Sequence, residues 1–395
     1  MPHLSHLGAH LVSSQFAGVS PATATLPRTD LALSVVRFRP LLALAWGDNL
    51  RLEAAADGVA LLGSGPGAAV QGLAIAPENR LRWREFSGQA WSGSAFALHT
   101  NLDRLNATAQ FGPVTMQIGR QVIGHGGARL LPSADLFGPF GPGAIATEFK
   151  RGIDALRLTW TIGQALELEA IAVAHRTAIS GEARDTGLQD GVYLLRVGTA
   201  WPGWLDASLL AGISYRLATL GFSVSGDALG AGWYIEGSGR ISSVARTDLA
   251  GKSWHARTTA GLDRQWGSRS RTLLELAWQS HGARDATGII QAVSALPRVF
   301  GESYLTGRWY AAALLSQQIG SLHSLQLATI ANLSDASLLL MPGAGLSVAD
   351  EVTLGLGALV PLGERPLVQF AGVPLPRSEF GTSPVLGYLD LRVAW

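Results

Sequence analysis

The last residues of the chain, Leu386-Gly387-Tyr388-Leu389-Asp390-Leu391-Arg392-Val393-Ala394-Trp395, alternate apolar with polar side chains and stop on an aromatic at the terminus. An antiparallel barrel that crosses a membrane typically ends in this way, because its closing strand shows lipid on one face and water on the other. The chain is 47% hydrophobic and 15% charged. It nevertheless has no apolar run approaching the roughly 18 residues that a membrane-spanning helix needs. The hydrophobicity is therefore spread with a period of two, the period of a strand.

Forty-eight glycines and 12 tryptophans against 3 methionines suit a barrel, where glycine lets strands curve and tryptophan settles at the membrane–water boundary. With no cysteine, neither a disulfide framework nor a thiolate metal site can exist. Lys and Arg number 30 against 29 Asp and Glu, a net charge of +1, and the charges are interspersed, so nucleic acid is not an expected partner. An exported chain needs a signal peptide, whereas residues 1 to 27 hold no Lys or Arg and no continuous apolar core. Ala22-Thr23-Ala24 has the composition of a cleavage site, and the numbering is expected to start after, or inside, a processed precursor.

Alternating segments recur along the whole chain, separated by connections that switch between short and long. Short ones fall at Gly47-Asp48-Asn49, Gly112-Pro113, Gly163-Gln164, Pro202-Gly203, Gly267-Ser268 and Gly320-Ser321, compositions suited to tight turns on a periplasmic rim. Long ones fall at about 62–94, 123–150, 177–189, 283–302 and 362–383, as on an extracellular rim. The expected fold is all-β, a single transmembrane antiparallel up-and-down β-barrel over 1–395. Strands are expected near 4–17, 30–46, 50–61, 95–111, 114–122, 152–162, 165–176, 190–201, 204–216, 218–228, 230–243, 254–266, 270–282, 303–318, 322–333, 336–346, 351–361 and 384–395. That is about 18 strands, or 16 if the first strand or the pair around 218–243 fails, an even number with both ends periplasmic.

Alternation also assigns faces. Arg271, Glu275, Gln279 and His281 share one side of their segment, and Leu274, Leu276 and Trp278 share the other. A barrel of this size is too wide to fill with side chains, so the polar side is expected to face a lumen and the apolar side lipid. The lumen charges expected on this basis are Arg104, Arg157, Arg240, Arg257, Arg271, Arg308 and Arg392 against Glu167, Glu169, Glu236, Asp263, Glu275 and Asp390. The two signs nearly balance, so strong ion selectivity is not implied. Trp46, Trp160, Trp201, Trp204, Trp266 and Trp395 lie within a few residues of a short turn or of the terminus, where an interfacial girdle sits.

Several stretches carry a family resemblance over most of residues 95 to 395. They are Asn101-Leu102-Asp103-Arg104-Leu105, Ile118-Gly119-Arg120-Gln121, the run from Ala128 to Phe137 with its Asp135-Leu136-Phe137 element, and Gly152-Ile153-Asp154-Ala155-Leu156-Arg157-Leu158. Asn332-Leu333-Ser334-Asp335-Ala336-Ser337 and Ser378-Glu379-Phe380-Gly381 continue it. Together they resemble the porin-like outer-membrane barrels related to the alginate-export porins. The resemblance implies a barrel in the outer membrane of a Gram-negative bacterium, and it names no solute.

In general porins the third extracellular loop commonly folds into the lumen, and here that loop is 123–150. Gly124, Gly126 and Gly127 permit a sharp inward turn, and Pro132, Pro139 and Pro142 stiffen the returning chain. Arg120, Arg129, Asp135, Glu148, Lys150, Arg151, Asp154 and Arg157 are then the candidate lining of a constriction. A second role fits four of them equally well: Arg120, Asp135, Asp154 and Arg157 as a salt-bridged clamp that holds the loop.

The expected function is passive diffusion of small hydrophilic solutes through a loop-narrowed channel, selected by radius and lining charge. Polysaccharide export is the alternative, and a structural or lipid-modifying barrel is the second. No catalytic residue, cofactor or metal is expected. His6 and His10 share a strand face while His3 points away, and no G-x-S-x-G, H-E-x-x-H or P-loop pattern occurs. The expected partners are outer-membrane lipid, the outer-membrane insertion machinery reading the C-terminal strand, and the solutes themselves.

Overall fold

The computed structural model describes residues 3–20, 29–64, 81–84, 86–92, 96–141, 144, 149–174, 191–201, 205–242, 254–368 and 374–395. Period-two segments become long strands: β1 (His3–Ser20), β2 (Thr29–Trp46), β3 (Leu50–Ser64), β4 (Ser87–Ser92), β5 (Phe96–Phe111), β6 (Val114–Gln121), β7 (Ile153–Ile162), β8 (Leu166–Val173), β9 (Val192–Trp201) and β10 (Leu205–Ser214). The second half contributes β11 (Leu217–Ala228), β12 (Ala231–Ser242), β13 (Trp254–Trp266), β14 (Ser270–Gln279), β15 (Trp309–Ile319), β16 (His323–Asn332), β17 (Ser337–Ala349), β18 (Val352–Leu362) and β19 (Val385–Ala394).

Each strand except β4 pairs antiparallel with the next around a ring, and β1 closes it by pairing with both β2 and β19. The result is a closed 18-strand antiparallel barrel in which each wall strand pairs on both sides. The first strand and the pair around 218–243 are both present, so the smaller count of 16 falls away. Because β1 completes the ring, cleavage at Ala22–Ala24, which lie outside the described residues, would remove a wall strand.

One rim is made of tight turns, such as that at Gly112, whose φ of 59° is the left-handed conformation that glycine adopts without strain. The opposite rim carries the long connections, but two there are short: Tyr215–Arg216, with φ of 55° and 64°, and residues 333–336. Connection length alone therefore does not mark the rim. β4 was not anticipated. β5 outreaches β6, pairing with it only from Leu105 to Phe111, and β4 occupies part of the remaining edge of β5, from Ala97 to Asn101.

The inner face is not uniformly polar, which corrects the expectation from alternation. Towards the tight-turn rim it carries Arg157, Glu167, Arg196 and Asp206. Towards the long-connection rim it turns apolar, with Ile153, Ile171, Val173, Val192 and Leu194 all buried. The loops cover this apolar half. Ile123, Leu136 and Phe137 of the third long connection pack into the cluster on β7–β10, and Leu131 and Phe380 join a second cluster on β14–β19. Each such side chain contributes about 1.5–3 kcal/mol to holding its loop against the wall.

Candidate functional site

The segment between β6 and β7 is fixed by backbone N–H groups donated to two buried carboxylates. Glu236 on β12 accepts from Gly127 (2.6 Å) and Ala128 (3.0 Å) through Oε2, and from Ser133 (2.8 Å) and Ala134 (3.0 Å) through Oε1. Glu275 on β14 accepts from Arg129 (2.7 Å) and Leu131 (2.7 Å), with Leu130 between them, and from the Tyr234 hydroxyl (2.5 Å). Thr259 on β13 donates to the Leu131 carbonyl at 2.6 Å. Yet β12 stands five places beyond β7 in the ring. The chain leaving β6 is therefore bonded to a distant part of the wall before it returns to β7.

Glycine at 126 permits this approach. Its φ is +94°, and a Cβ there would collide with Glu236 Oε2. Alternation had placed Glu236 and Glu275 on the inner face, but nothing in the local sequence marked them as anchors.

The expected lining charges separate into distinct sets. Arg120 grips Asp154 with both Nε (2.7 Å) and Nη2 (3.0 Å), and also donates to the Leu102 carbonyl at 2.7 Å. Asp135 is buried and pairs with Lys150, which also donates to the Ile123 carbonyl at 2.7 Å, while Asp135 Oδ1 caps the Phe137 N–H at 3.0 Å. Arg157 pairs with Glu169. Thus the four residues considered as one clamp contribute to three separate pairs. Arg129 is exposed, and Glu148 lies outside the described residues. Burial, with Arg82 close by, pushes the Arg151 guanidinium down to about 10.

Among the inner-face charges, Arg104 is buried against Asp103, a carboxylate that also receives Arg39 at 2.8 Å and the Gly152 N–H at 3.1 Å. Arg240 pairs with Glu302, whose carbonyl accepts from Arg257. Arg271 pairs with Asp263 and Arg392 with Asp390, whereas Arg308, expected on a wall strand, lies in the connection before β15 and donates to the Gly282 carbonyl at 3.3 Å. Glu169 also accepts from His125 at 3.1 Å, and Glu167 receives Arg196 at 2.7 Å.

A second long connection, between β14 and β15, also reaches the wall, which the sequence did not announce. Phe300 stacks on Tyr215 with centroids 3.9 Å apart, and Tyr304 lies against Gly141 of the connection between β6 and β7. Glu379, in the connection before β19, accepts from the Thr306 N–H (2.7 Å), Tyr310 hydroxyl (2.5 Å) and Asn332 amide (2.9 Å). Burial raises both Glu302 and Glu379 above the ordinary glutamate value of 4.5.

Between the turn at Gly124–Gly127 and the inner face of β7–β11 a cavity of about 580 Å³ remains, running to the tight-turn rim. Among the described residues no three His, Asp or Glu side chains are grouped to hold a metal. Trp160, Trp201, Trp266 and Trp395 are exposed and Trp46 is half-buried, at or near the tight-turn ends of their strands. Trp204 lies outside the described residues. Trp254 and Trp309 are exposed at the other rim, the latter 6.4 Å from Trp278.

No protein-family model matches the chain, and no curated protein matches it. Solved structures do match. Pseudomonas aeruginosa OccK9 (OpdG) aligns at 11% identity over 98% of this chain and 97% of its own, with a TM-score of 0.58. A BenF-like porin from Pseudomonas fluorescens Pf-5 aligns at 10% identity over 99% of both chains, with a TM-score of 0.56. Pseudomonas aeruginosa OccD3 (OpdP) aligns at 9% identity over 99% and 91%, with a TM-score of 0.54. The fold is shared with outer-membrane porins. At these identities the porin likeness concerns the barrel alone, and it gives no support to the alginate-export group in particular.

Proposed function

We propose that this barrel is an outer-membrane channel for passive diffusion of small hydrophilic solutes, narrowed by residues 123–150. The observation that carries the reading is the anchoring of Gly127–Ala134 to Glu236 and Glu275, five to seven strands from β7, with a cavity of about 580 Å³ left beside the loop. A loop held in this way reduces the cross-section at its own level, and the narrowest section sets conductance and size limit. The porin fold supports the assignment, as does the band of exposed Leu, Ile and Trp side chains on the outer face. On this reading the tight-turn rim is periplasmic, tryptophans mark the lipid boundary, and β19 with Trp395 presents the signal to the insertion machinery. A relation to the alginate-export group rests on the sequence segments alone.

One observation favours a structural barrel with a closed lumen instead. The apolar clusters that bind the loops to β7–β10 and β14–β19 fill much of the long-connection half. Purified protein in planar lipid bilayers separates the two readings: a channel gives discrete, ohmic steps, and a closed barrel gives none.

A further inference from the structure

The geometry points to a permeation path that runs between the Gly124–Gly127 turn and the wall β7–β11, and that prefers cationic to anionic solutes through Glu167 and Asp206. This rests on the channel reading above and adds the route and its selectivity to it. Four charged side chains border the cavity there: Arg157, Arg196, Glu167 and Asp206. Both arginines are already engaged. Arg157 is paired with the fully buried Glu169, and Arg196 bonds Glu167 at 2.7 Å while lying 3.6 Å from Glu169. Asp206 is exposed and has no ion pair among the described residues.

Counting Glu169, buried on the same inner face, three carboxylates meet two guanidiniums, which leaves an excess of negative charge along this side. His125, whose ring bonds Glu169 at 3.1 Å, is the other titratable group of the set. The loop charges Asp135, buried, and Lys150, half-buried, neutralise one another beside Gly124. Small residues, Gly198, Ser208 and Ser223, line this space among the described residues. In water, one carboxylate about 7 Å from a passing monovalent ion changes that ion's occupancy by at most about threefold. The expected selectivity is therefore weak.

The test uses the full chain, which contains no cysteine. Ser208→Cys and Ser223→Cys, each in planar bilayers, are treated with a cationic and an anionic methanethiosulfonate of similar size. Both reagents should lower single-channel conductance at both positions, and they should move the reversal potential in a salt gradient in opposite directions. Asp206→Asn and Glu167→Gln should reduce the cation preference by up to about threefold. Arg264→Gln, on the outer face against Trp266, should leave it unchanged. Cysteines that stay unreactive, or that react without altering conductance, place the path elsewhere and overturn the proposal even though the channel conducts. A wild-type barrel that never conducts overturns the channel reading instead.

Discussion

Replacing Glu236 by glutamine should loosen the loop without unfolding the barrel. The carboxylate is fully buried and each of its oxygens accepts two loop N–H groups: Gly127 and Ala128 on one, Ser133 and Ala134 on the other. An amide keeps one oxygen and turns the other into a donor, so either the buried N–H pair of Ser133 and Ala134 or the part-buried pair of Gly127 and Ala128 faces an N–H instead of an acceptor. Each buried donor left without a partner costs about 1–3 kcal/mol, so the docked loop loses at most about 6 kcal/mol, and less when the amide turns its N–H towards Gly127 and Ala128. The apolar contacts of Ile123, Leu136 and Phe137 still tether both flanks, and the strand ladder is untouched. Single-channel recording should show larger, noisier openings for Glu236→Gln, while heat-modifiable mobility on gels stays like that of the parent. A normally folded variant with parental conductance and quiet traces would refute the idea that these bonds hold the constriction.

Arg129 and Asp135 should behave differently. Arg129→Gln, at an exposed loop position, should shift ion preference slightly towards cations, whereas Asp135→Asn breaks the pair with Lys150 and should produce unstable openings with little change in reversal potential. Burial raises Glu302 and Glu379 above 4.5, so the folded form holds protons that the unfolded chain has released. Stability should then fall as pH rises from 4.5 through the raised values, and rise as pH is lowered back through them. Thermal unfolding followed across that range should show this slope, and Glu302→Gln with Glu379→Gln should flatten it. Removing Trp395 deletes its backbone bonds with Ala9 (3.1 and 2.9 Å) and its stack on Phe38. The folded fraction in outer membranes should drop, as read by heat-modifiability.

All 18 wall strands were legible because each turns one face into the barrel and the other outwards, and that demand writes period two into segments such as Leu274-Glu275-Leu276 without regard to the rest of the fold. The segment 303–318 is instructive, since β15 begins only at Trp309. Residues 303–308 instead serve the inward connection, with Thr306 bonded to Glu379. Alternation also cannot distinguish an apolar residue facing lipid from one facing an inserted loop. In β8, Glu167 and Glu169 share the inner face with Ile171 and Val173, and only the loop packed over them explains the change. The anchors were invisible for a related reason. Glu236 and Glu275 act on backbone N–H groups more than a hundred residues away, which leave no signature in side-chain type.

The central claim is that residues 123–150 narrow a conducting lumen. The direct measurement is the single-channel conductance and neutral-solute size limit of the parent beside a chain lacking Gly126–Gly143. Discrete parental openings, with higher conductance and passage of larger sugars after the deletion, are the predicted result. A deleted chain that folds and conducts like the parent, or a parent that forms no channel, would contradict the account.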